Sequence, residues 1–176
     1  NKQDIVMMLN NIAFFSKIHG DTVEMLKSYK ECVKIYEEIG DKEKTAATLN
    51  AIGSIYSDRG NINIALKYYF KGIEILEDTS NSRKASSYRL IGNLYLGQND
   101  FERALEYYNN SLAITQKIED TLSMPTIYSV IGHVYYKQEK LEVALDFYNK
   151  ALVIAKEKEM KKTIAACLDN IGGMYN

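Results

Sequence analysis

The feature that most constrains the fold of this chain is an internal repeat. An Ile-Gly pair recurs four times, and a weaker Ile-Ala copy precedes it, at Ile12-Ala13, Ile52-Gly53, Ile91-Gly92, Ile131-Gly132 and Ile171-Gly172. The successive spacings are 40, 39, 40 and 40 residues. A fixed period in this range is typical of arrays in which each unit stacks on its neighbours. The 176 residues are therefore predicted to form roughly four and a half repeats.

The apolar residues within each repeat follow helical spacing. In the second copy Leu49, Ile52, Gly53 and Tyr56 lie at i, i+3, i+4 and i+7, on one face of a helix. The single proline, Pro125, argues against a Pro-punctuated β fold and predicts that a helix begins near Met124. The predicted fold class is all-α, with about nine helices at roughly 3–18, 22–38, 42–58, 61–77, 83–97, 101–118, 124–138, 141–157 and 161–175.

Small residues at fixed positions identify the kind of repeat. The first helices carry Gly53, Gly92 and Gly132, and the second helices carry Ala65, Ala104 and Ala144, each followed four residues later by Tyr69, Tyr108 or Tyr148. This pattern resembles the tetratricopeptide repeat (TPR). The period of 40 is similar to the subclass found in kinesin light chains, Pins-type adaptors and bacterial TPR sensors. The resemblance implies a right-handed α-solenoid of antiparallel helix pairs.

The repeat also gives the expected domain organisation. We expect one array over residues 1–176, with repeats at about 5–44, 45–84, 85–124 and 125–164 and a partial fifth at 165–176. Leu168, Ile171, Met174 and Tyr175 would face a missing helix, so we expect the chain to be part of a longer protein or to self-associate through this C-terminal helix.

Composition excludes several function classes. The 22 basic and 23 acidic residues give a net charge of −1, which disfavours nucleic-acid binding. No apolar run is long enough to span a membrane. Cys32 and Cys167 lack metal or redox spacing and are predicted to be buried thiols, and His19 and His133 lack nucleophile partners. We therefore predict no catalytic residues, no metal and no cofactor. A cytoplasmic location is favoured, and a periplasmic one stays open.

The resemblance places the functional residues on the first helices, which line a concave groove in this family. A row of carboxamides could pair with the N–H and C=O groups of an extended peptide, and an arginine could bind a carboxylate or a carbonyl. The predicted groove residues are Asn10, Phe14, Asn50, Ser54, Arg89, Asn93, Ser129, His133, Tyr136 and Asn170.

The leading interpretation is a non-catalytic, peptide-binding scaffold in a bacterial signalling or regulatory protein. Three alternatives remain from the sequence alone. The groove residues could simply be polar residues on a wet surface. The chain could be a structural or self-association module without a groove ligand. It could also be a regulatory domain fused to an enzyme such as a histidine kinase.

Overall fold

The computed structural model describes residues 1–76 and 81–175, and within these residues the chain is helical, with no strand. The all-α prediction is confirmed. The chain forms two compact units, Asn1–Thr79 and Ser80–Asn176. Unit 1 contains α1 (Lys2–His19), α2 (Thr22–Glu38), α3 (Lys42–Asp58) and α4 (Ile62–Ile75). Unit 2 contains α5 (Ser82–Gly97), α6 (Phe101–Lys117), α7 (Met124–Lys137), α8 (Leu141–Glu157) and α9 (Lys161–Gly172).

Most predicted helix ends agree with the structure to within two residues. The start of α7 at Met124, with Pro125 in its first turn, confirms the interpretation of the only proline. The helix α9 ends at Gly172, three residues before the predicted end, because two adjacent glycines there favour a turn over a helix. The predicted end of the fourth helix, at residue 77, lies outside the described residues.

The turns explain why consecutive helices are neighbours. After α1 and α3 the chain turns through Gly20 and Gly60 in the left-handed conformation, with φ of 74° and 75°. The next helix then begins at once, so each connection is only two or three residues long and the two helices run antiparallel. We call α1, α3, α5, α7 and α9 the first helices and α2, α4, α6 and α8 the second helices.

Three first helices, α3, α5 and α7, pack against the second helix that follows them at the predicted glycines. A Cβ added at Gly53 would lie 2.5 Å from the ring of Tyr69, and one added at Gly92 would lie 2.6 Å from the ring of Tyr108. Gly132 and Tyr148 form the same contact in α7 and α8. The three tyrosines are at most 1% exposed, which confirms that they belong to the core.

Second helices also pack against the first helix that follows them in the same unit. In unit 1, Val33 of α2 packs with Leu49 and Ile52 of α3. In unit 2, Ala151 and Leu152 of α8 pack with Cys167 of α9. These contacts repeat along the chain, as expected when no single helix pair can bury its own apolar stripe. Cys32 and Cys167 are free and buried, as predicted.

Candidate functional site

Each unit contains a cleft between two consecutive first helices, with the intervening second helix forming part of its wall. The unit 1 cleft has a volume of about 410 Å³ and is lined by Gln3, Val6, Met7, Asn10, Asn11, Tyr36, Ile39 and Lys44. The unit 2 cleft has a volume of about 160 Å³ and is lined by Ser82, Ala85, Ser86, Arg89, Ser111, Thr115, Leu122, Ser123, Thr126 and Ile127.

The two clefts occupy the same place in the repeat. Shifting the numbering by 79, which is two repeats, takes Val6 to Ala85, Asn10 to Arg89 and Lys44 to Ser123. Asn10 and Arg89 are both predicted groove residues. The structure therefore places one predicted residue in each cleft at equivalent positions, although the surrounding side chains differ in chemistry.

The unit 2 cleft is rich in hydroxyl groups, of which some are used within the fold. The Oγ of Ser111 donates to the carbonyl oxygen of Ala85 at 2.7 Å, and the Oγ of Ser123 donates to Oδ2 of Asp120 at 2.6 Å. Ser82, Ser86 and Thr126 form no side-chain hydrogen bond with other described residues. These three groups remain available to a ligand.

Arg89 is the only basic residue lining the unit 2 cleft, within the described part of the chain. It is half-buried and forms no ion pair with a described carboxylate. Burial raises the pKa of the nearby Tyr108 hydroxyl far above its usual value, and the charge of Arg89 acts in the opposite direction. The guanidinium of Arg89 is thus a positive charge in this cleft with no anionic partner among the described residues.

The unit 1 cleft is more apolar, and its cation is already paired. Nζ of Lys44 lies 3.0 Å from Oδ2 of Asp41 and 5.7 Å from the centre of the Tyr36 ring. Asn10 receives only a long contact from the Cys32 thiol, 3.9 Å from Sγ to Oδ1. Burial raises the pKa of Cys32 to about 11, so the thiol stays protonated and donates. The amide nitrogen of Asn10 remains exposed to solvent.

Two predicted groove residues have a structural partner that the sequence analysis missed. Oη of Tyr108 donates to Oδ1 of Asn93 at 2.7 Å, and Oη of Tyr69 lies 3.1 Å from Oγ of Ser54. These polar residues therefore satisfy the hydroxyl of a buried core tyrosine. The signal was present in the sequence, because both pairs are separated by 15 residues and the polar residue directly follows the repeat glycine.

His133 and Tyr136 lie together on α7. Their rings are 6.2 Å apart and inclined by 27°, and Tyr136 is 37% exposed. Burial, followed by the positive charge of Lys137, lowers the pKa of His133. The histidine is thus favoured in its neutral form, which suits it to stacking and hydrogen bonding rather than to binding an anion.

The other predicted groove residues are dispersed. Phe14 is exposed and meets Phe15 edge to face, and Asn170 is exposed on α9. Oγ of Ser129 lies 3.7 Å from Sγ of Cys167. Asn50 is 7% exposed and takes part in an interaction within the fold, so we leave it out of the proposed binding surface.

Side chains that could hold a metal ion are not grouped in this structure. Over residues 1–76 and 81–175, no cluster of three or more histidine, cysteine, aspartate or glutamate side chains is present. The same residues contain no helix with the length and apolar character of a membrane span.

Comparisons with known proteins agree with the repeat. A family model described as tetratricopeptide repeat matches twice, over residues 4–78 and 83–157. No curated protein sequence matches the chain significantly.

Among solved structures, the chain is similar to the apo form of RapI, with a TM-score of 0.78, 19% identity, 93% of this chain covered and 60% of RapI. It is also similar to aspartyl phosphate phosphatase F from Bacillus subtilis, with a TM-score of 0.82 and 14% identity, covering 99% of this chain and 49% of that one. A putative kinesin light chain with TPR-like repeats from Podosopora anserina has a TM-score of 0.73 and 14% identity, over 97% of this chain and 84% of that one.

These structural similarities concern the fold, and the chain spans only 60% and 49% of the first two proteins. The two family matches cover most of the sequence and include the three helix pairs that are joined by glycine–tyrosine contacts. The chain therefore belongs to the tetratricopeptide repeat family.

Proposed function

We propose that this chain is a non-catalytic module that binds an extended peptide segment of a partner protein along its first helices. TPR arrays are typically protein-interaction scaffolds and are generally non-catalytic. The observation that carries the proposal is the pair of equivalent clefts, with Asn10 and Arg89 at the same repeat position.

The chemistry of the clefts defines the kind of peptide. Arg89 and the free hydroxyls of Ser82, Ser86 and Thr126 favour an acidic group, either an Asp or Glu side chain or a terminal carboxylate. Val6, Met7 and Ile39 in the unit 1 cleft favour an apolar side chain. A hydrogen bond to a charged group contributes about 1.5–3 kcal/mol, so Arg89 alone cannot supply the roughly 8 kcal/mol of micromolar binding. Further contacts with the peptide must supply the rest.

We place the module in a bacterial signalling or regulatory protein. The structural similarity to RapI and to aspartyl phosphate phosphatase F supports this context. Attachment to an enzyme such as a histidine kinase would fit the same context.

The alternative of a self-association module is supported by a specific observation, since the side chains of Leu168 and Tyr175 near the C-terminus are 50% and 75% exposed.

Selection from a displayed random-peptide library tests the proposal. The affinity of a selected peptide is measured by fluorescence anisotropy with the wild-type chain, with Arg89→Ala and with Arg83→Ala. Arg83 is an exposed arginine on the same helix that does not line the cleft, so it is a matched control. We expect Arg89→Ala to weaken binding of acidic peptides about tenfold, because one charge-assisted hydrogen bond is lost. Arg83→Ala should leave the affinity unchanged.

The proposal fails if the two arginine variants lose affinity equally. It also fails if no peptide is selected while a Leu168→Glu variant changes the oligomeric state, since that result favours the self-association module.

A further inference from the structure

The outward half of α1 carries many exposed apolar side chains. Val6, Ala13 and Ser16 are buried on the side of α1 that packs against α2. On the opposite half, seven large apolar side chains are between 37% and 62% exposed, namely Ile5, Met7, Met8, Ile12, Phe14, Phe15 and Ile18. A helix face with this many large apolar side chains is normally packed against another element.

The repeat register shows that this half of α1 has the character of an interior face. Ile5, Met8 and Ile12 stand at the repeat positions that α9 fills with Ile164, Cys167 and Ile171. Those three residues of α9 pack against Ala151 and Leu152 of α8. In α1 the same positions are open to solvent among the described residues.

The face is also wider than the register requires. Phe14 stands where the other first helices carry Ser54, Asn93 and His133, and Met7 stands where they carry Ala47, Ser86 and Thr126. Met7 and Phe14 point towards the side of α1 that holds the cleft. The five other side chains, from 37% to 62% exposed, present on the order of 500 Å², so two copies would bury about 1,000 Å², which is the lower limit for a specific interface.

We propose that α1 is a self-association surface on which a second copy of this chain docks through its own α1. The residues Ile5, Met8, Ile12 and Phe15 are spaced by three, four and three, which is the spacing of a helix–helix seam. In an antiparallel pair related by a two-fold axis, Ile5 faces Phe15 of the other copy and Met8 faces Ile12. Each contact then joins a β-branched side chain to a longer one, so the seam is self-complementary.

Sedimentation equilibrium of the 20.1 kDa chain tests the proposal. We expect a dimer at roughly 100 µM, and we expect Met8→Glu to weaken dimerisation at least about a hundredfold, because two carboxylates would be buried in the seam. Met8 is 62% exposed, so the change should leave the circular dichroism spectrum and thermal midpoint of the monomer intact. Val153→Glu, at an apolar residue of α8 that is 56% exposed, is the control and should remain dimeric.

Disulfide cross-linking tests whether the two α1 helices run antiparallel, and it does so through a gain of signal and not through a loss of dimerisation. A mixture of Met8→Cys and Ile12→Cys chains should form a disulfide faster than either variant alone. The natural cysteines are buried and will not compete.

Three results would overturn the proposal: a monomeric wild-type chain at roughly 100 µM, a Met8→Glu variant that still dimerises, or a dimer that Leu168→Glu dissociates instead. Met7 lines the unit 1 cleft, but the four seam residues line neither cleft, so Met8→Glu tests self-association without altering the proposed peptide site.

Discussion

At the scale of single residues, a contact between glycine and tyrosine joins three of the helix pairs, α3–α4, α5–α6 and α7–α8. The position of Gly92 could be predicted from its recurrence, and so could the burial of Tyr108, because both follow the apolar stripe. The atoms that meet could not be predicted, since the ring lies over the glycine only once the two helices have crossed. The hydrogen bond from Tyr108 to Asn93 depends on the same crossing.

Replacing Gly92 with alanine tests this contact. Because the new Cβ would lie 2.6 Å from a fully buried ring, we expect a cost of about 1–3 kcal/mol and a thermal midpoint lower by several degrees. Gly97→Ala, at a site on the same helix where nothing lies within 4 Å, should leave the midpoint unchanged or raise it. Thermal unfolding followed by circular dichroism checks both variants, and equal midpoints would show that the contact is unimportant.

The candidate site was partly predictable at this scale. Asn10 and Arg89 were found from the resemblance, because the repeat register fixes which positions of a first helix lie in the clefts. The repeat register could not distinguish a polar residue that faces a ligand from one whose side chain forms a hydrogen bond within the fold. Ser54 and Asn93 bond to core tyrosines. A binding role stays a prediction for all ten groove positions, including Asn10 and Arg89.

At the scale of helices and turns, capping explains why the sequence predicted the boundaries well. Asp21, Asp41 and Asp100 each accept a hydrogen bond from the backbone N–H of the third residue after them, which fixes the start of the next helix. Asn61 stands at the equivalent position of α4 but forms no side-chain cap hydrogen bond. Residue type alone therefore did not determine the cap.

The two asparagine N-caps provide a matched test. Asn81 accepts from the backbone N–H of Lys84 at 3.0 Å at the start of α5, whereas Asn61 has no such bond. We expect Asn81→Ala to cost about 1 kcal/mol and to lower the thermal midpoint by a few degrees. Asn61→Ala should change it little. Urea unfolding of the two variants compares the costs directly, and a larger loss for Asn61→Ala would contradict the capping account.

At the scale of the whole molecule, the 40-residue period determined the fold class and the family. It did not reveal the exposed face of α1, because a period depends on what the repeats share and this face is where the first copy differs. The signal was nonetheless in the sequence, since Ile5, Met8, Ile12 and Phe15 form an apolar stripe with helical spacing. The length of 176 residues is better understood as a number of repeats than as the size of one domain.

The central claim is that this TPR chain binds a peptide in the clefts between its first helices. The most direct measurement is two-dimensional ¹H–¹⁵N NMR of the chain titrated with a selected acidic peptide. We predict that the largest amide shift changes fall on the residues around Asn10 and Arg89, at the two clefts. Changes concentrated on the second helices, for example around Val153 of α8, would contradict it.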